Sequence, residues 1–388
     1  MELTQAEVAE RLQVKRPTIA QIEAGNRAVS SIELSQFAII YKRDIDYFLA
    51  DEQANRLPGI VHLRASADLG DPVDTLLQKC VELCEAATWL EKELDTPKEV
   101  VPFSYNLDRP QTRWEAVEQG LKLAAMERKR LDIGDAPVRN IVEIIARHGV
   151  RVGRDSLTDD ISGIFFVGPD TGPAILVNSG HHITRRLFSY AHEYAHLLVD
   201  SSHVPGGVSR YGNRGDLIEV RANAFAAHFL MPSDGVFAFL SRMKQPSRQV
   251  VEIYDGFKNP ESDESGALTA QRKHSTPYEI KMIDVVRVAH FFGTSYEATL
   301  YQFLNLKILN KESFNALMDV RDKAERASEL LGMPKHLEME EFSDLKRVVT
   351  NLIIEAWLSK KIARPKAYEL IKKVDKTPED LEALDDPE

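Results

Sequence analysis

The chain has 388 residues, 43% of them hydrophobic and 28% charged, with a formal net charge of −11. That length supports two or three domains with cores of their own, and the acidic balance argues against indiscriminate adhesion to phosphate or to anionic membranes. No apolar run reaches the roughly 18–20 residues of a membrane span, residues 1–5 lack the basic start of a secretory signal, and the two cysteines, Cys80 and Cys84, are too few for a disulfide framework. A cytoplasmic protein with reduced thiols and no membrane partner is expected.

Thr4 is placed to cap a helix over 5–12, Pro17 suits the first turn of a second helix ending near Gly25, and a third is expected over 31–41. A linker is expected over 51–59, where Pro58-Gly59 interrupts the pattern. Within 74–94, Leu76, Leu77, Cys80, Leu83, Cys84, Ala87 and Leu90 recur at helical spacing. Helices are also expected over 113–131 and 138–148, the latter closed by Gly149. Two apolar, β-branched segments, 161–167 and 174–178, read as strands joined by Gly168-Pro169-Asp170-Thr171-Gly172-Pro173. Helices over 184–200 and 216–230 follow, separated by a glycine-rich loop, with Pro232 closing the second. Beyond them a polar loop covers 259–276, two helices surround a glycine turn over 285–306, and residues 340–373 are amphipathic with a break at Pro365. An acidic tail over 378–388 ends the chain. The fold class is α+β, mainly α, divided as 1–55, a helical connector over 56–131, a small-sheet domain over 132–308 and a helical C-terminal extension over 309–388.

Chemistry concentrates in the helix over 184–200. His192 and His196 are four residues apart, about 40° round the helix from one another, so both imidazoles can reach one tetrahedral zinc ion. Glu193, beside the first histidine, is placed to take a proton from a water rather than to bind the ion. A third protein ligand is needed, with one position left open. The metzincin arrangement is excluded, because Val199 and Ser202 stand where it requires glycine and histidine. Asp200, His203, Asp216, Glu219 and His228 are the candidates. Glu219 is the best, since Asn223 shares its helix face and can hydrogen-bond a ligand; His203 comes second. His181 and His182 read as surface or substrate-side residues.

The run Arg185-Arg186-Leu187-Phe188-Ser189-Tyr190-Ala191-His192-Glu193-Tyr194-Ala195-His196 is followed by Glu219-Val220-Arg221-Ala222-Asn223-Ala224-Phe225-Ala226-Ala227 and Leu230-Met231-Pro232. Together with Ile161-Ser162-Gly163 and Val177-Asn178, these blocks resemble the ImmA/IrrE family of zinc metallopeptidases. The resemblance implies a zincin-like peptidase domain of small sheet plus HExxH helix. It implies His192, His196 and Glu219 as zinc ligands, Glu193 as general base, and a repressor or antitoxin-like protein as substrate. Residues 174–178 would be the edge strand that receives an extended substrate segment, and Tyr211, His203 and Tyr194 are candidates to stabilise the oxyanion.

At the N-terminus, Leu3-Thr4-Gln5-Ala6-Glu7-Val8-Ala9 and Ile19-Ala20-Gln21-Ile22-Glu23-Ala24-Gly25-Asn26-Arg27 resemble the helix-turn-helix of Xre/Cro-type regulators, whose usual leading helix is expected to be missing here. The resemblance implies DNA as a partner of residues 1–50. Arg16, Thr18 and Gln21 would face the major groove, and Gln5 and Arg27 would touch phosphates. Six basic against seven acidic residues over 1–50 predict weak non-specific attraction to DNA. Ile19 and Ile22 are expected in the core. The leading functional expectation is a DNA-associated regulatory endopeptidase. The alternative is a non-cleaving regulator or antitoxin that uses the peptidase fold as a sensor or partner-binding domain. Residues 340–373 are the candidate surface for a homodimer or a docked partner.

Overall fold

The computed structural model describes residues 4–23, 26–41, 70–96, 104–210, 215–243, 279–332 and 345–384. The chain divides into two compact units, Met1–Leu57 and Pro58–Glu388. The expected linker over 51–59 and polar loop over 259–276 lie outside the described residues, as does Tyr211.

The first unit holds α1 (Gln5–Arg11), α2 (Arg16–Glu23) and α3 (Ser31–Tyr41). A reciprocal cap starts α1: the Thr4 hydroxyl accepts from the Glu7 N–H, and the Glu7 carboxylate accepts from the Thr4 N–H at 2.7 Å. Ser30 and Glu33 repeat the device at α3. Between α1 and α2 the chain turns through Gln13 at φ +55°, a left-handed conformation that glycine adopts at less cost. Val8, Ala9, Leu12, Ile19 and Phe37 form the core, with Ile22 packed against it.

The second unit opens with α4 (Gly70–Glu93), α5 (Arg113–Arg130) and α6 (Ile141–Arg147). Strands β1 (Arg151–Asp155), β2 (Ile161–Gly168) and β3 (Gly172–Asn178) come next, then α7 (Ile183–Val199), β4 (Gly206–Arg210) and α8 (Leu217–Leu230). The remaining helices are α9 (Ser233–Met243), α10 (Met282–Phe292), α11 (Tyr296–Asn305), α12 (Lys311–Met318), α13 (Arg321–Leu331), α14 (Leu345–Leu358), α15 (Arg364–Lys373) and α16 (Pro378–Glu382). Pro365 therefore sits in the first turn of a helix, where its missing N–H costs nothing, and part of the acidic tail is helical. Among the described residues no single helix is long and apolar enough to cross a membrane.

The four strands run in the order β1-β3-β2-β4, with β1 and β3 parallel and the other pairs antiparallel. This corrects two expectations. Residues 174–178 are not an edge: β3 lies between β1 and β2, and all seven of its residues are buried. The glycine-rich loop before α8 contains the strand β4, which takes the edge beside β2. Gly207 misleads because it is there for space. A Cβ at Gly207 would stand 2.4 Å from the Phe165 ring. β1 was hidden by its charges; Arg151 is buried because it pairs with Glu91 of α4 at 2.8 Å and donates to the Thr171 carbonyl.

One face of the sheet carries α7, and α8 packs beside it over a core that includes Tyr190, Ala191, Leu198, Phe225 and Phe229. Helix α5 lies against α8 at very close range. A Cβ at Gly120 would meet the Arg221 carbonyl oxygen at 2.5 Å and the Ala224 Cβ at 2.8 Å. The buried Arg128 guanidinium donates to the carbonyls of Gly134, Ala136 and Phe229, the last an acceptor that α8 leaves open at its C-terminus. A second apolar cluster joins Met231 and α9 to α10, α11, α12 and α13.

Candidate metal centre

Every side chain of α7 from Ser189 to Val199 is buried, so the histidines and the glutamate between them are enclosed by packing rather than displayed on a surface. His192 Nε2 and His196 Nε2 lie 3.1 Å apart. Across from them, at the start of α8, Glu219 places one carboxylate oxygen 3.2 Å from His192 Nε2 and the other 3.4 Å from His196 Nε2. Donors bound to one tetrahedral ion at about 2.0–2.1 Å would be separated by about 3.3–3.4 Å. The three residues therefore form a group that could hold a metal ion.

The other ring nitrogens fix the tautomers. His192 Nδ1 lies 3.1 Å from Asn223 Oδ1, and His196 Nδ1 lies 2.9 Å from Asp200 Oδ2. Each Nδ1–H donates outward, which turns the Nε2 lone pairs toward the shared point. The Phe165 ring stacks on His196 with centroids 5.2 Å apart and planes 10° from parallel. Burial opposes ionisation of Glu219, but the two imidazoles outweigh it and hold its carboxyl well below the usual carboxylate range.

Glu193 is fully buried, and among the described residues neither carboxylate oxygen has a partner at ordinary hydrogen-bond distance. Burial pushes its carboxyl up, partly offset by the imidazoles and by the nearby Ser209 hydroxyl on β4. A buried carboxyl without a partner is costly. Its space is reserved by Gly163 of β2, where a Cβ would stand 2.6 Å from Glu193 Oε1. Gly163 thus leaves room for a buried acid beside three donors that could hold a metal ion.

Residues 145–304 match the family model for the IrrE N-terminal-like domain of the M78 peptidases. The chain carries an IrrE-like peptidase domain. Residues 1–48 match a helix-turn-helix model, an element of DNA-binding transcription regulators. No curated protein matches the chain significantly.

Within the IrrE-like domain, the other ligand candidates lie elsewhere. Asp200 turns its carboxylate to the far side of His196, and His203 is exposed, with its Nδ1 2.9 Å from Ser202 Oγ. Asp216 caps α8 by accepting from the Ile218 N–H at 3.1 Å. His228 accepts from Gln302 Nε2 at 2.9 Å, and burial followed by the Arg128 charge pushes its pKa down to about 4. Tyr194 cannot serve an oxyanion, because its hydroxyl donates to the buried Glu127 and its ring packs on Phe225 and Phe229. His182 is exposed and caps α7, whereas His181 is buried rather than at the surface, its Nε2 3.4 Å from the Asp159 carbonyl.

In the helix-turn-helix, Arg16 and Gln21 are exposed on α2, and Thr18 is half-buried. Gln5 Nε2 donates to Glu23 at 2.6 Å, and Arg27 pairs with Glu33 at 2.8 Å. Sequence reasoning missed Phe165, Ser209 and Arg221 at the metal group. Ser209 lay in the misread strand, and Phe165 and Arg221 carried no pattern to distinguish them from core and surface residues.

Proposed function

We propose that this protein is a regulatory zinc endopeptidase that cuts a repressor or antitoxin-like protein and contacts DNA through its helix-turn-helix. The observation that carries the reading is the unpaired, buried Glu193 carboxylate beside three donors spaced for a tetrahedral ion. Two imidazole nitrogens and one carboxylate oxygen form a ligand set that suits zinc and leaves a position open. Zinc held by His192, His196 and Glu219 would supply Lewis acidity, lowering the pKa of a water and polarising the scissile carbonyl. Glu193 takes the proton from the attacking water and passes it to the departing amine nitrogen. Asn223 and Asp200 keep the imidazoles oriented, and the enclosed site strengthens each of these interactions.

The substrate enters as an extended segment along β4, whose outer edge is unpaired among the described strands. Backbone pairing there accepts many sequences, so selection falls to the partner's own fold and to its meeting the enzyme. The helix-turn-helix supports a target bound to, or acting on, the same DNA. Arg16, Thr18 and Gln21 would read bases, with Gln5 and Arg27 on phosphates. For the last two, DNA must compete with Glu23 and Glu33.

The test is a comparison of new protein N-termini in cells producing the wild-type chain or Glu193→Gln. One or a few regulatory proteins should be cut only with the wild type. Identical sets of N-termini would remove the proposal, and broad cleavage of unrelated proteins would replace it with a general protease.

A further inference from the structure

Arg221 does not face the metal group, yet it is only 3% exposed. Two residues beyond Glu219, it projects about 200° round α8 from it. Its guanidinium donates to Asp200 at the end of α7, and the other Asp200 oxygen accepts from His196 Nδ1 at 2.9 Å. Arg221 Nη1 also donates to Gln119 Oε1 at 3.3 Å. Gln119 is within reach because the neighbouring Gly120 lets α5 approach the α8 backbone. Three helices thus meet at one guanidinium.

The two histidines are held differently. His192 leans on the neutral amide of Asn223. His196 leans on a partly buried carboxylate, which without Arg221 would be free to turn. We propose that Arg221 is a positioning residue: by holding Asp200 it fixes the His196 imidazole and ties the Glu219 helix to the histidine helix, so that metal affinity depends on it. This rests on the zinc reading above and concerns retention of the ion rather than the chemistry. Among the described residues, His196 and Arg221 are the side chains that hydrogen-bond Asp200.

The experiment measures zinc affinity of the full chain by competition with a chromophoric chelator. It compares wild type, Asp200→Asn, Arg221→Met, Arg221→Lys and the double variant Asp200→Asn/Arg221→Met, with melting of each zinc-free protein alongside. Partners that orient metal-binding histidines typically contribute about 10–100-fold in affinity. Arg221→Met should lose that much, Arg221→Lys should recover part of it, and the double variant should be no weaker than the worse single one. Unchanged affinity in Arg221→Met overturns the inference, as do losses that multiply in the double variant or an effect confined to melting. If the wild type takes up no zinc, or Glu219→Ala binds it equally well, the zinc reading itself fails and takes the inference with it.

Discussion

Replacing Gly163 by alanine tests the relation between β2 and Glu193, the proposed general base, directly. The added Cβ would stand 2.6 Å from Glu193 Oε1, 2.8 Å from Cγ and 2.9 Å from Cδ, about 0.8 Å inside an ordinary 3.4 Å contact at the closest point. Glu193 is fully buried and its helix is packed on the sheet, so the overlap cannot relax into solvent. Overpacking of this kind costs about 1–3 kcal/mol. Glu193→Gln keeps the shape and should keep the penalty. Glu193→Ala removes Cγ, Cδ and both oxygens, the atoms that the new Cβ would meet, and should cancel most of it. Urea denaturation of the zinc-free single and double variants measures the coupling, expected at about 1–2 kcal/mol with Ala at position 193 and near zero with Gln. An alanine penalty of equal size in all three backgrounds would refute the close approach. Displacing the base by this distance should also cost about 10–100-fold in cleavage with zinc retained.

Glu219→Ala should lose bound zinc, as judged by metal analysis after gel filtration; undiminished zinc would move the third ligand to another residue. Acid should destabilise the protein through His228. Its folded pKa is pushed down to about 4 from an ordinary value near 6.5, so the unfolded chain takes up the proton first and stability falls as pH drops through that window. The loss is roughly 1–3 kcal/mol at pH 4, and His228→Asn should flatten that part of the stability profile. Equal pH dependence in the two proteins would exclude His228 as the cause.

Much of the architecture was legible because it is local. The helix-turn-helix and α7 follow from caps, proline positions and apolar spacing, and β2 and β3 from β-branched runs flanking a turn-rich segment. The pairing of His192 with His196 is likewise set by helical periodicity. What escaped depends on neighbours distant in sequence. Gly206 and Gly207 suggested a loop, but the Phe165 ring needs the space at Gly207. β1 was not expected because it begins with a charge, Arg151, which Glu91 neutralises inside. β3 has the composition of either an edge or a central strand, and only the arrival of β1 on its far side decides. Nothing local distinguishes Arg221 from other helix charges; its place is set by Asp200 and Gln119, both distant in sequence.

The central claim is that Glu193 is the base of a zinc-dependent peptidase. It is tested most directly by measuring zinc content and peptide-bond cleavage together in purified wild-type and Glu193→Gln proteins, using the substrate identified from the new N-termini. The account predicts one zinc per chain in both proteins, with cleavage by the wild type and none detectable from Glu193→Gln. Normal cleavage by Glu193→Gln, or cleavage by wild-type protein that survives complete removal of zinc, would contradict it.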